Sequence, residues 1–199
     1  MAEAFSPTEI SAVTGASVKA VYKAISERLP RGASVHRDQQ HYLTRWGAVC
    51  FVLDRALPKD VPLSVRRQLY ASILDHKAPT RVQCERGILS YVVDVESVAE
   101  RLDRDLARYN GAMRLIVQDN AIQGGAATFR DTRILVHHIA DLMEQGADEA
   151  ELRSDYPRLT SEMIAAARLY VRAHPRRGRP RKPGWRGDGK AGKPDPQQN

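Results

Sequence analysis

Apolar residues in the first thirty positions recur in two short helical registers with a break between them. Ile10 and Val13 belong to one helix, Gly15 falls at the break, and Ser17 stands as N-cap of a second helix carrying Val18, Val21, Ile25 and Leu29. That stripe predicts packing against the first helix and leaves Lys19, Lys23 and Ser26 on an outer flank, with the Ser17 end free to approach phosphate or base edges. Tyr22 lies at the border of the stripe and is expected in the core rather than on a base-reading face. The run "SVHRDQQHYLTR" then reads as two extended pieces around Asp38-Gln39, and "TRWGAVCFVLDRAL" places Trp46, Val49, Cys50, Leu53 and Leu57 on one helical face. Two helices, a basic hairpin and a further helix form a winged helix-turn-helix pattern. Its candidate DNA contacts are Ser17, Lys19, Lys23, Ser26 and Arg37, and a purely structural helical hairpin is the alternative.

Further along, "SVRRQLYASILDHK" carries Val65, Leu69 and Ile73 at helical spacing, and its Arg66-Arg67 pair is expected on a solvated face. "ILSYVVDV" alternates, with Leu89, Tyr91, Val93 and Val95 on one side, and a helix with Val98, Leu102, Leu106 and Tyr109 follows. Asp103 and Asp105 are expected on the solvated side of that helix. This strand and helix suit either a small connector or a dimerisation element. Residues 115–174 begin with short extended pieces hinged at Gly124-Gly125 and end in three short helices. The first, near 136–145, stops at Gly146; Asp148 and Glu151 make a capping box for the second; Tyr156-Pro157 breaks it. Thr160 caps the third, whose apolar face is Met163, Ile164, Ala167, Tyr170 and Val171. The expected fold is mainly α with small β elements, an α+β chain. It divides into a winged helix-turn-helix (1–77), a strand-helix segment (78–114), a helix-turn-helix-like three-helix bundle preceded by a β-arm (115–174), and a tail (175–199).

Composition narrows the chemistry. The 199 residues are 42% apolar and 28% charged, enough to bury a core. No run long enough to span a membrane occurs, and "MAEAFSPTEI" lacks the basic and apolar regions of an export signal, so a cytoplasmic protein without membrane contact is expected. Cys50 and Cys84 have no metal-binding spacing and are expected as packed thiols. The six histidines form no HExxH pattern, adjacent His137 and His138 point to different helix faces, and neither "GASVKA" nor "QGGAAT" supplies a phosphate loop. No catalytic residue, metal or cofactor is therefore expected. Charge is concentrated at one end: residues 175–199 hold eight Lys/Arg against two Asp, a net +6 of the total +7, among five prolines and five glycines. With Trp185 as its one large apolar side chain, this tail is expected to stay disordered until bound. Arg177-Gly178-Arg179-Pro180 is the core of an AT-hook, suited to a narrow minor groove, and the same guanidinium groups suit a cluster of carboxylates.

Two resemblances sharpen these readings. Residues 5–57 resemble the N-terminal winged helix-turn-helix of MerR-type regulators. Residues 115–174 resemble the domain of unknown function 433 family, through Gly124-Gly125, Thr132-Arg133-Ile134 with Val136, Gly146, Tyr156-Pro157, Leu159-Thr160, the alanine run 165–167 and Tyr170. The chain departs from that family's pattern at Ala127, where a proline is usual, and at Asp131, where a glycine is usual. The resemblance implies an antitoxin of a type II toxin–antitoxin pair, similar to VapB-class antitoxins with a winged helix-turn-helix in front. It implies two partners, promoter DNA and a small PIN-like nuclease toxin, with a homodimer that forms a hetero-oligomer with the toxin. Arg176, Arg177, Arg179, Arg181 and Lys182 become the candidate toxin-facing residues, positioned to pair with metal-holding carboxylates. A stand-alone DNA-binding regulator with an AT-hook-like tail is the alternative.

Overall fold

Ser6 starts the first helix through a reciprocal cap: the Glu9 amide donates to its side chain and the Ser6 amide donates to the Glu9 carboxylate. The computed structural model describes residues 3–76 and 79–176. Within them a short strand β1 (Ala4–Phe5) leads into α1 (Pro7–Thr14), Gly15 closes that helix at φ 68°, and Ser17 caps α2 (Val18–Glu27). The hairpin β2 (Ser34–Arg37) and β3 (Gln40–Thr44) turns at Asp38 and Gln39, both left-handed with φ 46° and 62°. β1 pairs with the other edge of β3, giving a sheet of order β1-β3-β2. The last residue of β3, Thr44, accepts from the Gly47 amide and caps α3 (Arg45–Ala56).

Gly47 fastens this wing to the helix. A Cβ there would stand 1.7 Å from the Ala33 carbonyl oxygen, which also accepts from the Thr44 amide at 3.0 Å. Any side chain at 47 would push the base of the wing off α3.

The chain continues through α4 (Leu63–His76), the hairpin β4 (Arg81–Arg86) and β5 (Leu89–Asp94), and α5 (Val95–Met113). Asp94 caps α5, and hydrogen bonds from Ser97 hold its carboxyl below the ordinary range. Expected from its alternation, β5 has a partner that was not expected: β4 presents only Val82 and Cys84 inward, between Arg81, Gln83 and Glu85. Residues 79–114 also share one apolar core with the front of the chain, since Val82, Val93, Val95, Leu102 and Leu106 pack in the same cluster as Ile10, Val21, Leu43 and Leu69. The cysteines are free and buried, and burial raises the Cys50 thiol to about 12.

One buried ionic cluster joins three helices of that core. Asp54 of α3 accepts from the Tyr70 hydroxyl at 3.0 Å and from Arg66 Nη1 at 3.4 Å, both on α4. Arg28, the C-cap of α2, brings Nη1 to 2.7 Å from the other carboxylate oxygen, an ionic contact without hydrogen-bond alignment. Arg66 also donates to the carbonyls of Asp54, Leu57, Pro58 and Val61. The expectation of a solvated Arg66-Arg67 pair therefore fails at Arg66, which is 9% exposed, and holds at Arg67. Asp103 also departs from a purely solvated role: Arg45 Nε and Nη2 clamp its carboxylate at 3.1 and 2.5 Å, while the Arg45 guanidinium lies 4.5 Å from the Trp46 ring.

The C-terminal unit begins with paired strands β6 (Ile116–Val117) and β7 (Thr128–Phe129), followed by α6 (Val136–Glu144), α7 (Glu149–Asp155) and α8 (Ser161–Ala173). The Asp148–Glu151 capping box and the Thr160 cap form as the sequence predicts. Asp131 adopts φ 59°, a left-handed conformation that glycine takes freely and aspartate tolerates. Phe129, Val136, Ile139, Leu152, Ile164 and Ala167 form this unit's core. It docks on the rest through α8, where Ala173 meets Ala12 of α1 and Tyr109 of α5. The architecture is mixed α and β, with eight helices and three small sheets among the described residues. No described helix is long and apolar enough to cross a membrane.

Removing one partner from a buried ionic cluster leaves the others desolvated. Asp54→Ala is expected to cost about 3–5 kcal/mol, against less than about 1 kcal/mol for Asp75→Ala on the exposed side of α4. Urea denaturation checks this without the ionic screening of guanidinium salts.

Candidate nucleic-acid interface

α2 presents two different faces because its apolar residues repeat at helical spacing. Val21 and Ala24 are fully buried, while Lys19, Tyr22, Lys23 and Ser26 share the opposite face. That face forms one wall of an open groove of about 830 Å³. The other wall comes from the α2–β2 loop and the base of the wing, with Arg31, Ser34 and His41. Three cationic side chains and two serine hydroxyls thus line a concave strip whose one carboxylate, Glu27, already lies 3.8 Å from Lys23 Nζ. Such a strip suits a polyanion: ammonium and guanidinium groups neutralise phosphates, and hydroxyls donate to their oxygens.

The structure brings together three of the five candidate contacts, Lys19, Lys23 and Ser26. Ser17 sits at the N-terminal end of α2 outside the groove lining, where its side-chain oxygen accepts from the Ala20 amide at 3.2 Å. Arg37 lies at the exposed tip of the wing, beside the Asp38-Gln39 turn. Tyr22 corrects the sequence reading: it is 42% exposed and lines the groove instead of entering the core. A signal was present, since Tyr22 is three residues from Lys19 and four from Ser26, on their stripe. Arg31 and His41 carried no such signal, because only the folded wing brings them to α2. His41 stacks edge-on against His36 across the hairpin, with centroids 4.8 Å apart.

The orientation of this face depends on the buried cluster. Arg28 holds the C-terminal end of α2 to Asp54, and Arg67 Nη2 donates to the Glu27 carbonyl at 3.5 Å. Burial first, then the Asp54 carboxylate, pushes the Tyr70 phenol well above its ordinary value, so Tyr70 remains a hydrogen-bond donor at all working pH.

At the far end of the described chain, Arg176 Nη1 lies 2.8 Å from Asp141 of α6. Beside it, His174 stacks on Tyr170 at 4.5 Å, and Gln118 Nε2 donates to the Tyr170 hydroxyl at 2.9 Å. Partial burial lowers the affinity of His137 and His174 for protons, and the charge of Arg176 adds to the effect on His137. Of the toxin-facing candidates only Arg176 is placed; Arg177, Arg179, Arg181 and Lys182 lie outside the described residues. His138 turns away from this group and meets the Tyr156 hydroxyl at 2.7 Å. Among the described residues no group of three or more His, Cys, Asp or Glu side chains is arranged to hold a metal ion.

Comparison with known proteins places the C-terminal unit. Residues 116–171 match DUF433, a protein family of unknown function. An uncharacterized protein of Sinorhizobium fredii is 33% identical over 87 residues, which are 44% of this chain and 38% of the relative. The chain thus spans well under half the length of that relative. A crystal structure of a DUF433 member from Anabaena variabilis is 34% identical and covers 38% of this chain and 75% of its own, with a TM-score of 0.31. The DUF433 match begins at β6 and ends within α8, so it covers the unit built on Phe129, Ile139 and Ile164 and leaves the groove outside it.

Proposed function

We propose that this protein is a non-enzymatic antitoxin of a type II toxin–antitoxin system. It reads its own promoter through α2 and the β2–β3 wing, and engages a PIN-like nuclease with the DUF433 unit and the basic tail. The observation that carries the DNA half is the groove, where Lys19, Lys23 and Arg31 converge with Ser26 and Ser34 between a capped helix and a hairpin. A phosphate strand running between helix and wing would meet these groups while the outer face of α2 enters the major groove. The toxin half is supported by the DUF433 match and the antitoxin character that the resemblance implies for such domains. The net +6 of residues 175–199 supports a partner rich in carboxylates. The runner-up is a stand-alone regulator that uses groove and tail on the same DNA; the groove itself favours it equally, and only a partner separates the two.

Fluorescence anisotropy with the DNA upstream of the gene checks the first half. Lys19→Ala with Lys23→Ala is expected to weaken binding by on the order of tenfold or more and to make the salt slope shallower by about one for each phosphate that is no longer neutralised. Unchanged affinity and slope would remove α2 from the interface.

Co-expression with the nuclease of the neighbouring reading frame checks the second. The full chain is expected to restore growth and suppress RNA cleavage, and a chain ending at His174 to lose that protection while keeping promoter binding. Retained protection would remove the tail from the toxin site. The absence of any nuclease in the neighbouring frame would favour the stand-alone regulator.

A further inference from the structure

The second hairpin is built like the wing but exposes different chemistry. In both, the last strand residue caps the next helix, Thr44 for α3 and Asp94 for α5. The wing shows His36, Arg37, Asp38 and His41 to solvent, whereas the β4–β5 hairpin shows Ile88, Leu89 and Val92, which are 102%, 56% and 61% exposed. These are three of the five exposed large apolar side chains among the described residues. The sheet has only two strands, so the outer edge of β5 pairs with no other strand among the described residues. From Leu89 to Val93 that edge carries no charge, proline or bulge, the devices by which soluble proteins protect a free edge.

We propose that the β5 edge is a homodimer interface, in which β5 of one copy pairs antiparallel with β5 of a second copy across a two-fold axis. The charges select this arrangement. A parallel pairing would set Asp94 against Asp94. The antiparallel one sets Asp94 beside the partner's hairpin tip, where Arg86 lies across from Leu89, and brings no carboxylate against another. The pairing joins two hairpins into a four-stranded sheet and gives Leu89, on the face of Tyr91 and Val93, and Val92, on the opposite face, cross-strand neighbours from the partner. Its area is modest. Two six-residue edges bury on the order of several hundred Å² per copy, below the roughly 800 Å² of a standard interface, which puts the pair in the class of weak, reversible contacts. A reader of paired half-sites gains from such a weak dimer, because DNA supplies the remaining energy.

Sedimentation velocity of the full chain over a concentration series tests this. The native chain is expected to pass from monomer to dimer through the micromolar range, and Leu89→Lys with Val92→Lys to raise the dissociation constant at least tenfold with circular dichroism and melting unchanged. Should that double variant lose helicity, Ile88→Lys in the fully exposed turn is expected to weaken the dimer with the fold intact. A native chain that stays monomeric throughout, a dimer insensitive to all of these changes, or a different protein seated on β5 while the native chain stays monomeric would each overturn the interface. The DNA reading fails separately: a monomer that binds promoter DNA sinks only the interface, and a β5 dimer blind to DNA sinks only the reader.

Discussion

The carboxylate of Asp54 organises the front half of this protein. It is 5% exposed, and taking such a charge out of water costs several kcal/mol unless opposite charge and hydrogen bonds meet it. They arrive from three directions: Arg28 from the end of α2, and Arg66 and Tyr70 from successive turns of α4. Apolar packing already restricts how these helices slide, and a buried charge with directional partners adds an angular requirement, so the cluster favours one relative orientation of α2, α3 and α4. The outward aim of Lys19, Tyr22 and Lys23 follows from it, although none of them touches Asp54.

The same logic separates two hairpins of shared design. Each is a short antiparallel pair whose final residue caps the following helix, so the strand-to-helix junction is set locally. The first is held at its base by Gly47 against Ala33 and is polar at its tip; the second packs on α4 and exposes Ile88 and Leu89 beside Arg86 at its tip. Position and chemistry suit them to different partners under the proposals above: a polyanion along the first, a matching sheet edge along the second.

Much of this was legible in local pattern. The caps at Ser17, Asp148 and Thr160, the break at Gly15 and the turn at Asp38-Gln39 follow from short-range rules, and each forms. What the pattern hid depends on distant partners. Arg66 reads as a surface charge until α3 brings Asp54 to it, twelve positions back in sequence. β4 escaped because its outward residues are all polar and only two inward positions are apolar. Tyr22 borders the apolar stripe, and its spacing from Lys19 and Ser26, which puts it on the outer face, was the local signal that its aromatic character outweighed. Asp131 shows the converse: a departure from the family's usual glycine changes little, because its left-handed turn accepts aspartate.

α1 meets the C-terminal unit through α8: Ala12 of α1 packs on Ala173, three residues before Arg176. The most direct test of the central claim is hydrogen–deuterium exchange of the full chain with and without DNA from upstream of its gene. Slowed exchange confined to α2, the 28–33 loop and the β2–β3 wing is the predicted result. Slowed exchange confined to the DUF433 unit, with α2 and the wing unchanged, would contradict it.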